Sequence, residues 1–186
     1  MTFPPFCQCA MATGSIPVLS KSYTFDPRPL FPFRIVANRY WIEECPYAIN
    51  RDTSSKTRED VLTLVFIHGN GGHKELGEPI IQRLFQNQQA ATRRIVRFHD
   101  MWSLDMPNQG DSAVLNEETL RSGYDICKIH IFHSHEHEFH SLHAVSLEHN
   151  SRGVHAFLLG LGTGVDVDFS ERRLALVGHC SGGHAA

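Results

Sequence analysis

The segment that most constrains the fold of this chain lies at residues 174–183. Leu174–Val177 is an apolar run that predicts a buried strand. It leads directly into a Gly-x-Cys-x-Gly pattern centred on Cys180, which predicts a sharp bend between the strand and a following helix. Gly178 and Gly182 suit such a bend because a side chain at either position would clash across it. The pattern is that of a nucleophile elbow, a turn that exposes the side chain at its tip.

The preceding part of the chain alternates strands and helices in the manner of a parallel sheet. Phe33–Trp41 is β-rich and predicts an early strand, and the apolar run Val61–Ile67 predicts a strand buried on both faces. The second strand ends in the glycine-rich turn His68–Gly72. Glu78–Gln89 has apolar residues at helical spacing, and Arg94–His99 predicts the next strand. This order predicts an α/β fold with a mostly parallel sheet, of which the chain carries the N-terminal portion and ends just after the elbow.

The remaining segments give the predicted domain boundaries. Residues 1–32 are rich in Pro, Ser and Phe without a steady period, so we expect an irregular segment with a short strand at Ser22–Phe25. Residues 33–186 are predicted to form one partial α/β domain. Within it, Asp105–Ser112 is predicted to be a loop, and residues 125–162 are predicted to form one or two helices.

The elbow and the glycine-rich turn together predict a site for acyl transfer. Such a site needs a nucleophile and N–H donors for the oxyanion that forms. Cys180 is the candidate nucleophile, since a thiolate attacks carbonyl carbon readily and the start of a helix stabilises it. The backbone N–H of Ser181 is the first candidate donor. The second is the N–H of Asn70, and Gly69 allows that backbone to approach a substrate closely.

The base that would activate Cys180 is not evident in the sequence. His184 is the one histidine after Cys180, and on the first turn of the next helix it would point away from the place where a base arrives. His179 comes before the nucleophile and is interpreted as structural. A triad acid and histidine are therefore absent from the predicted site.

A histidine-rich stretch offers a different chemistry. Eight of the 13 histidines lie between His130 and His155. In a helix, four of them would share one face that could bind zinc or nickel, namely His130, His133, His137 and His140. The alternative is a solvated helix of biased composition. No cofactor and no metal are assigned to the main site.

The composition of the chain limits the classes of molecule that we expect it to bind. The chain has 17 basic and 20 acidic residues, a net charge of −3 and no basic run, so no nucleic-acid partner is expected. No apolar stretch approaches the roughly 18 residues that span a membrane. The five cysteines are odd in number and scattered, which favours a reducing compartment over a disulfide framework. The expected partner is a small acyl substrate, and the oligomeric state is left open.

Three segments of the chain resemble one family of α/β-hydrolases. The first runs from Leu62 to Glu78 and contains the pattern His-Gly-Asn-Gly-x-x-Lys-Glu at residues 68–75. The second has the form Asp-x-x-x-x-Gly-x-Ser-x-x-Leu-Asn, matched by Asp105, Gly110, Ser112, Leu115 and Asn116. The third is the elbow, where the family usually has Gly-His-Ser-x-Gly-Gly and this chain has Cys180 in place of the serine. On these residues the chain resembles the abhydrolase-domain proteins of fungal host-selective toxin biosynthesis clusters and their peroxisomal lipase-like relatives.

The resemblance covers about residues 33–120 and 170–184 and implies a biological role. It implies hydrolysis of an ester or thioester, or acyl transfer, in the synthesis of a fatty-acid-like secondary metabolite that contributes to virulence on plants. It also implies a peroxisomal location, although His184-Ala185-Ala186 is not a convincing targeting tripeptide, and the cytoplasm is the alternative. The family's acid and histidine follow the nucleophile, so the chain is interpreted as C-terminally truncated.

Two other functions remain open from the sequence. One is a catalytically inactive truncated copy, and the other is a histidine-rich metal-binding module. A further expectation concerns stability: a chain that ends at Ala186 would leave Leu174–Val177 as an exposed apolar sheet edge, and we expect such a chain to be marginally stable or insoluble.

Overall fold

The computed structural model describes residues 17–43, 61–90, 96–122, 126–129, 142–160, 168–170 and 172–186. Seven strands are described within these ranges: β1 (Val18–Phe25), β2 (Ile35–Ile42), β3 (Val61–Ile67), β4 (Arg97–Leu104), β5 (Ile126–Ile129), β6 (Leu142–Val145) and β7 (Arg173–Gly178). Five α-helices accompany them: α1 (Glu78–Ala90), α2 (Gly110–Leu115), α3 (Glu117–Arg121), α4 (Leu147–Leu158) and α5 (Ser181–Ala185). A short 3₁₀ turn, Lys74–Gly77, precedes α1.

The main sheet has five strands in the order β1-β2-β4-β3-β7. β3 pairs in parallel with both β4 and β7, whereas β1, β2 and β4 pair antiparallel. β5 and β6 form a separate antiparallel pair. The carboxyl ends of β3, β4 and β7 therefore meet at one edge of the sheet, which is where open α/β sheets hold their ligands.

The two faces of the sheet carry two apolar clusters. On one face, Trp102 packs with Phe25, Phe157 and Phe169, and α4 supplies part of this cluster. On the other face, α1 covers a second cluster, whose buried members are Tyr40, Leu64, Phe66, Ile81, Phe85 and Met101. Successive residues of β3 alternate between the clusters, so this strand is buried on both faces, as its apolar run predicts. The predicted α/β fold with a mostly parallel sheet is confirmed.

A buried carboxylate ties the strands together at the opposite end of the sheet. Asp100 of β4 accepts hydrogen bonds from Arg39 Nε at 2.7 Å, Thr63 Oγ1 at 2.7 Å and Arg172 Nη1 at 2.7 Å. Burial alone would raise the pKa of Asp100, but the hydrogen bonds from His99, Thr63 and Arg172 hold it well below its usual value. The ionised carboxylate thus joins β2, β3 and the residue before β7.

Three predicted segments differ from the structure. The strand expected at Ser22–Phe25 begins at Val18 and pairs along its whole length with β2. The strand expected at Arg94–His99 is β4, which runs on to Leu104. The loop expected at Asp105–Ser112 already contains the start of α2 at Gly110. The division of the chain at residue 33 stays a prediction.

The prediction of helix across residues 125–162 is wrong for a part of that range. Ile126–Ile129 and Leu142–Val145 are strands, and the described helix is Leu147–Leu158. The β-branched residues Ile126, Ile129 and Val145 favour a strand locally. Hydrogen bonding between two strands that are distant in the chain then outweighs a residue spacing that is compatible with a helix. The face of four histidines between His130 and His140 lies outside the described residues.

Candidate functional site

The bend predicted at Cys180 is present, and Cys180 occupies its tip. β7 ends at Gly178 and α5 begins at Ser181. Cys180 has φ 54° and ψ −121°, and among the described residues other than glycine it is the one with a positive φ. Its side chain is exposed to solvent. A side-chain-bearing residue in this region is strained, and a sharp strand-to-helix turn that exposes a nucleophile has this conformation.

Glycine is required at two elbow positions because backbone atoms cross there. A Cβ atom on Gly178 would overlap the carbonyl oxygen of Gly182. A Cβ atom on Gly182 would overlap the carbonyl oxygens of Ile67 and His68, at the end of β3. Gly183 differs from both, since a Cβ there would meet its nearest neighbour, the carbonyl oxygen of Gly178, at an ordinary 3.6 Å. The predicted role of Gly178 and Gly182 in turn geometry thus has a direct steric cause.

The glycine-rich turn after β3 lies against the elbow. The N–H of His179 donates to the carbonyl oxygen of Ile67 at 3.0 Å, which joins the two segments. A Cβ atom on Gly69 would lie 2.9 Å from Cβ of Cys180 and 3.0 Å from Nδ1 of His179. The backbone at Gly69 can therefore come this close to Cys180 only without a side chain.

The residues that follow Gly69 and Cys180 in the chain carry the two candidate N–H donors. Ser181 is the first residue of α5, so its N–H is one of those that a helix leaves without an intrahelical acceptor. Asn70 follows Gly69 in a turn closed by a hydrogen bond from Gly72 N–H to the Gly69 carbonyl oxygen at 3.1 Å. Gly71 has φ +77°, as the third residue of a type II turn requires. The structure thus brings Gly69, Cys180 and their neighbours Asn70 and Ser181 into one region.

The histidines of the elbow do not form a pair with Cys180. Within the described ranges, no residue hydrogen-bonds to the Cys180 thiol. His184 lies in α5, and its carbonyl oxygen accepts from Ser151 Oγ of α4 at 3.4 Å. In the same part of the chain, no group of three or more His, Cys, Asp or Glu side chains is arranged to hold a metal ion. Metal binding by the histidine-rich stretch stays a prediction.

His68 connects the turn after β3 to the loop after β4. Its Nε2 accepts from the N–H of Met106 at 3.2 Å, so the proton sits on Nδ1, which lies 2.7 Å from the Gly69 carbonyl oxygen. The ring is 7% exposed, and this burial lowers the pKa of His68 below its usual 6.5. A neutral imidazole therefore fixes the turn that carries Gly69 and Asn70.

A buried lysine makes a second connection between these loops, and the sequence reasoning did not identify it as a site residue. Lys74 Nζ lies 2.8 Å from Glu75 Oε1, 3.1 Å from Asp105 Oδ2 and 2.7 Å from Asp111 Oδ2. Lys74 is 2% exposed. Burial alone would lower its pKa, but the hydrogen bonds that the ammonium donates to Asp111, Glu75 and Asp105 raise it above the usual value, so the ammonium stays charged. These four residues are called the Lys74 cluster below.

The second motif of the resemblance consists of residues that fix the loop after β4. Asp105 accepts the Lys74 N–H at 2.7 Å and the Asp111 N–H at 2.9 Å, and its carboxylate fills the space that a Cβ on Gly110 would need. Ser112 Oγ accepts from the Val36 N–H at 2.8 Å. The side-chain amide of Asn116 bonds to Arg34 at both ends: Oδ1 accepts from the Arg34 N–H at 2.8 Å, and Nδ2 donates to the Arg34 carbonyl oxygen at 2.8 Å. The residues of this motif thus have structural roles that do not depend on catalysis.

These features define the class of protein to which the chain is similar. A mostly parallel sheet, a strained elbow after its last described strand, and a glycine-rich turn against that elbow constitute an α/β-hydrolase-like fold.

The comparison with solved structures agrees with this fold. The peroxisomal α/β-hydrolase Lpx1 from Saccharomyces cerevisiae matches 92% of this chain with a TM-score of 0.54 and 20% sequence identity. At this identity the likeness is one of fold alone. The match spans 40% of the Lpx1 chain. No protein-family model matches the sequence, and no curated protein matches it. None of the described helices is both long and apolar enough to cross a membrane.

Proposed function

We propose that this chain carries the nucleophile and oxyanion part of an α/β-hydrolase-type enzyme that cleaves esters or thioesters through an acyl-cysteine. The observation that carries the proposal is the conformation of Cys180, which is strained, exposed and in contact distance of the Gly69 backbone. Backbone strain at a tip residue is retained where the surrounding structure enforces it, and such positions cluster at active sites. The α/β-hydrolase-like fold supports the same class of reaction.

The proposed reaction begins with attack of the Cys180 thiolate on the carbonyl carbon of the substrate. A carbon–sulfur bond forms, and the carbonyl electron pair moves onto oxygen. The N–H groups of Asn70 and Ser181 hold the resulting oxyanion. Collapse of this intermediate restores the carbonyl, breaks the bond to the leaving alkoxide or thiolate, and leaves Cys180 acylated. The thiol proton ends on the leaving group, and water or another acceptor then takes the acyl group.

The biological setting is part of the proposal. The sequence resemblance at residues 33–120 and 170–184 supports a role in the synthesis of a fatty-acid-like toxin, and the likeness to a peroxisomal protein supports a peroxisomal location. Disruption of the coding sequence in its host should abolish toxin production without impairing growth. Unchanged toxin levels would contradict the role in toxin synthesis and leave the proposed chemistry of Cys180 intact.

The chemistry is tested by acylation of the full chain with p-nitrophenyl butyrate and with a butyryl thioester. We expect the peptide that contains Cys180 to gain a butyryl group, and the Cys180→Ala variant to lose this labelling. Labelling of the chain's other cysteines in the same sample gives the background rate. A folded protein in which Cys180 is acylated no faster than this background would overturn the mechanism.

One observation favours a second candidate function, the inactive copy. No described residue hydrogen-bonds to the Cys180 thiol, and an elbow cysteine without a base reacts slowly at neutral pH. The same experiment separates the two candidates, because an inactive copy would fold with Cys180 exposed yet remain unacylated. Alkylation of Cys180 by iodoacetamide in that sample would show that the thiol is accessible.

A further inference from the structure

A third side-chain connection, beside those of His68 and Lys74, links the turn after β3 to the loop after β4. Gln109 Nε2 donates to Asn70 Oδ1 at 2.8 Å. The two residues are separated by 39 positions in the chain. The bond therefore ties the Asn70 side chain itself to the loop after β4, whereas His68 holds the backbone of the turn.

Gln109 is well placed to act as the fixed partner of this pair. Its N–H donates to the Met106 carbonyl oxygen at 3.0 Å, and its own carbonyl oxygen accepts from the Ala113 N–H at 3.2 Å. Its side-chain Oε1 is buried and has no hydrogen-bond partner among the described residues. Turning the amide over would set Oε1 against Asn70 Oδ1, and two acceptors cannot bond, so donation to Asn70 determines which way the Gln109 amide faces.

Asn70 is the residue of the turn that most needs a fixed partner. It is exposed, and it lies between Gly69 and Gly71, neither of which has a side chain that could hold this part of the turn. A Cβ atom on Gly71 would meet nothing within 4 Å, so no neighbouring group packs against that side of the turn. Within the described residues, the Gln109 amide is the group that bonds to the Asn70 side chain.

We propose that Gln109 is a positioning residue for the oxyanion site: its amide holds Asn70 so that the Asn70 N–H stays directed at the carbonyl attacked by Cys180. The proposal rests on the proposed function, in which the Asn70 N–H is an oxyanion donor. Gln109 itself touches neither the substrate nor Cys180 in this assignment. It acts by setting the distance and angle at which the Asn70 N–H meets the carbonyl oxygen of the substrate.

The test compares two reactions of the same thiol in the full chain. Acylation of Cys180 by p-nitrophenyl butyrate passes through an oxyanion, whereas alkylation by iodoacetamide does not. Removing an oxyanion donor costs roughly a hundredfold or more, so loss of its positioning should slow acylation by about tenfold. We expect Gln109→Met and Asn70→Ala each to slow acylation by this factor and to leave alkylation within twofold of the unmodified chain. Rates are measured on the Cys180 peptide by mass spectrometry.

Three further variants make the result specific. The double variant should be no slower than either single variant, since both remove the same bond. Gln82→Met and Asn87→Ala replace exposed residues of α1 and serve as matched controls that should change neither rate.

The outcomes separate this proposal from the one on which it rests. If the unmodified chain acylates Cys180 above background and Gln109→Met does so equally fast, the positioning role is overturned and the proposed function stands. If Gln109→Met slows acylation and alkylation alike, its effect is structural and the positioning role is also overturned. If the unmodified chain shows no acylation above background while alkylation proceeds, the proposed function fails, and the role of Gln109 fails with it.

Discussion

The two glycines at positions 182 and 183 of the elbow have different steric surroundings. A methyl group on Gly182 would overlap backbone oxygens at the end of β3, which cannot rotate away, whereas a methyl on Gly183 has ordinary contacts. We therefore expect Gly182→Ala to lower the free energy of unfolding by about 3 kcal/mol, the upper end of the usual cost of overpacking. Gly183→Ala lies inside α5 and should be neutral or stabilising by up to about 1 kcal/mol. Urea unfolding followed by Trp fluorescence measures both, and equal losses would contradict the assigned contacts.

The ring of His68 makes the stability of the chain depend on pH. Its pKa in the folded protein lies below the usual 6.5, so between these two values the unfolded chain binds the proton more readily. The contribution of His68 is thus fully present above pH 6.5 and is lost as the pH falls below it. The loss is at most about 1.4 kcal/mol per pH unit for one group. Urea midpoints between pH 8 and pH 5 provide the measurement.

A variant separates His68 from the other histidines. His68→Gln cannot titrate in this range, so the dependence of its urea midpoint on pH should be flatter than that of the unmodified chain. His73→Gln is the control, since His73 is half exposed and pairs with Glu75 on the surface. If His73→Gln flattens the dependence as much as His68→Gln, burial of His68 is not the cause.

At the scale of elements, the Lys74 cluster joins the segment between β3 and α1 to the loop between β4 and α2. Lys74→Met would leave the buried carboxylate of Asp105 without its cation, so we expect a loss of about 3–5 kcal/mol in the free energy of unfolding. Lys21→Met removes an exposed lysine of β1 and should change the stability by less than about 1 kcal/mol. Urea unfolding checks both variants. A small effect of Lys74→Met would show that the two loops are held by other contacts.

The strands that could be predicted from the sequence are those in which a continuous apolar run indicates burial. Val61–Ile67 and Leu174–Val177 were predictable because both faces of β3, and most of β7, pack against apolar side chains. The segment 125–162 was mispredicted because a four-residue strand carries too short a pattern, and its partner lies more than a dozen residues away. Helix α4 within that segment has a local signal, since Ser146 caps it by accepting the His149 N–H.

The proximity of the glycine-rich turn to the elbow could be predicted for the same reason. Gly69 and Cys180 each follow a predicted parallel strand, and the ends of neighbouring parallel strands meet at one edge of the sheet. The bonds of Gln109 to Asn70 and of Lys74 to Asp105 join residues 39 and 31 positions apart. Their side chains carry no periodic signal, and their partners depend on where two loops meet in space. Such contacts follow from the fold and cannot be read from local sequence.

At the scale of the whole molecule, the candidate site lies on a strand that forms an edge of the described sheet. β7 carries the elbow, and within the described ranges it pairs on one side only, with β3. Leu174 and Leu176 pack against the main apolar cluster, whereas Val177 is 45% exposed. An apolar strand with unpaired backbone groups is a template for pairing with another chain. The strand that presents Cys180 therefore also exposes an apolar edge at which another chain can pair.

This arrangement predicts that a charge at Val177 reduces aggregation of the chain. Val177→Lys places a solvated ammonium at the free edge of β7, and we expect it to raise the soluble fraction several-fold without altering the far-UV circular dichroism. Val114→Lys is the matched control, because Val114 is 72% exposed on α2, away from any sheet edge. Light scattering at equal protein concentration measures both. If the two variants improve solubility equally, the gain comes from net charge and surface polarity alone, and pairing at the β7 edge is not the route of association.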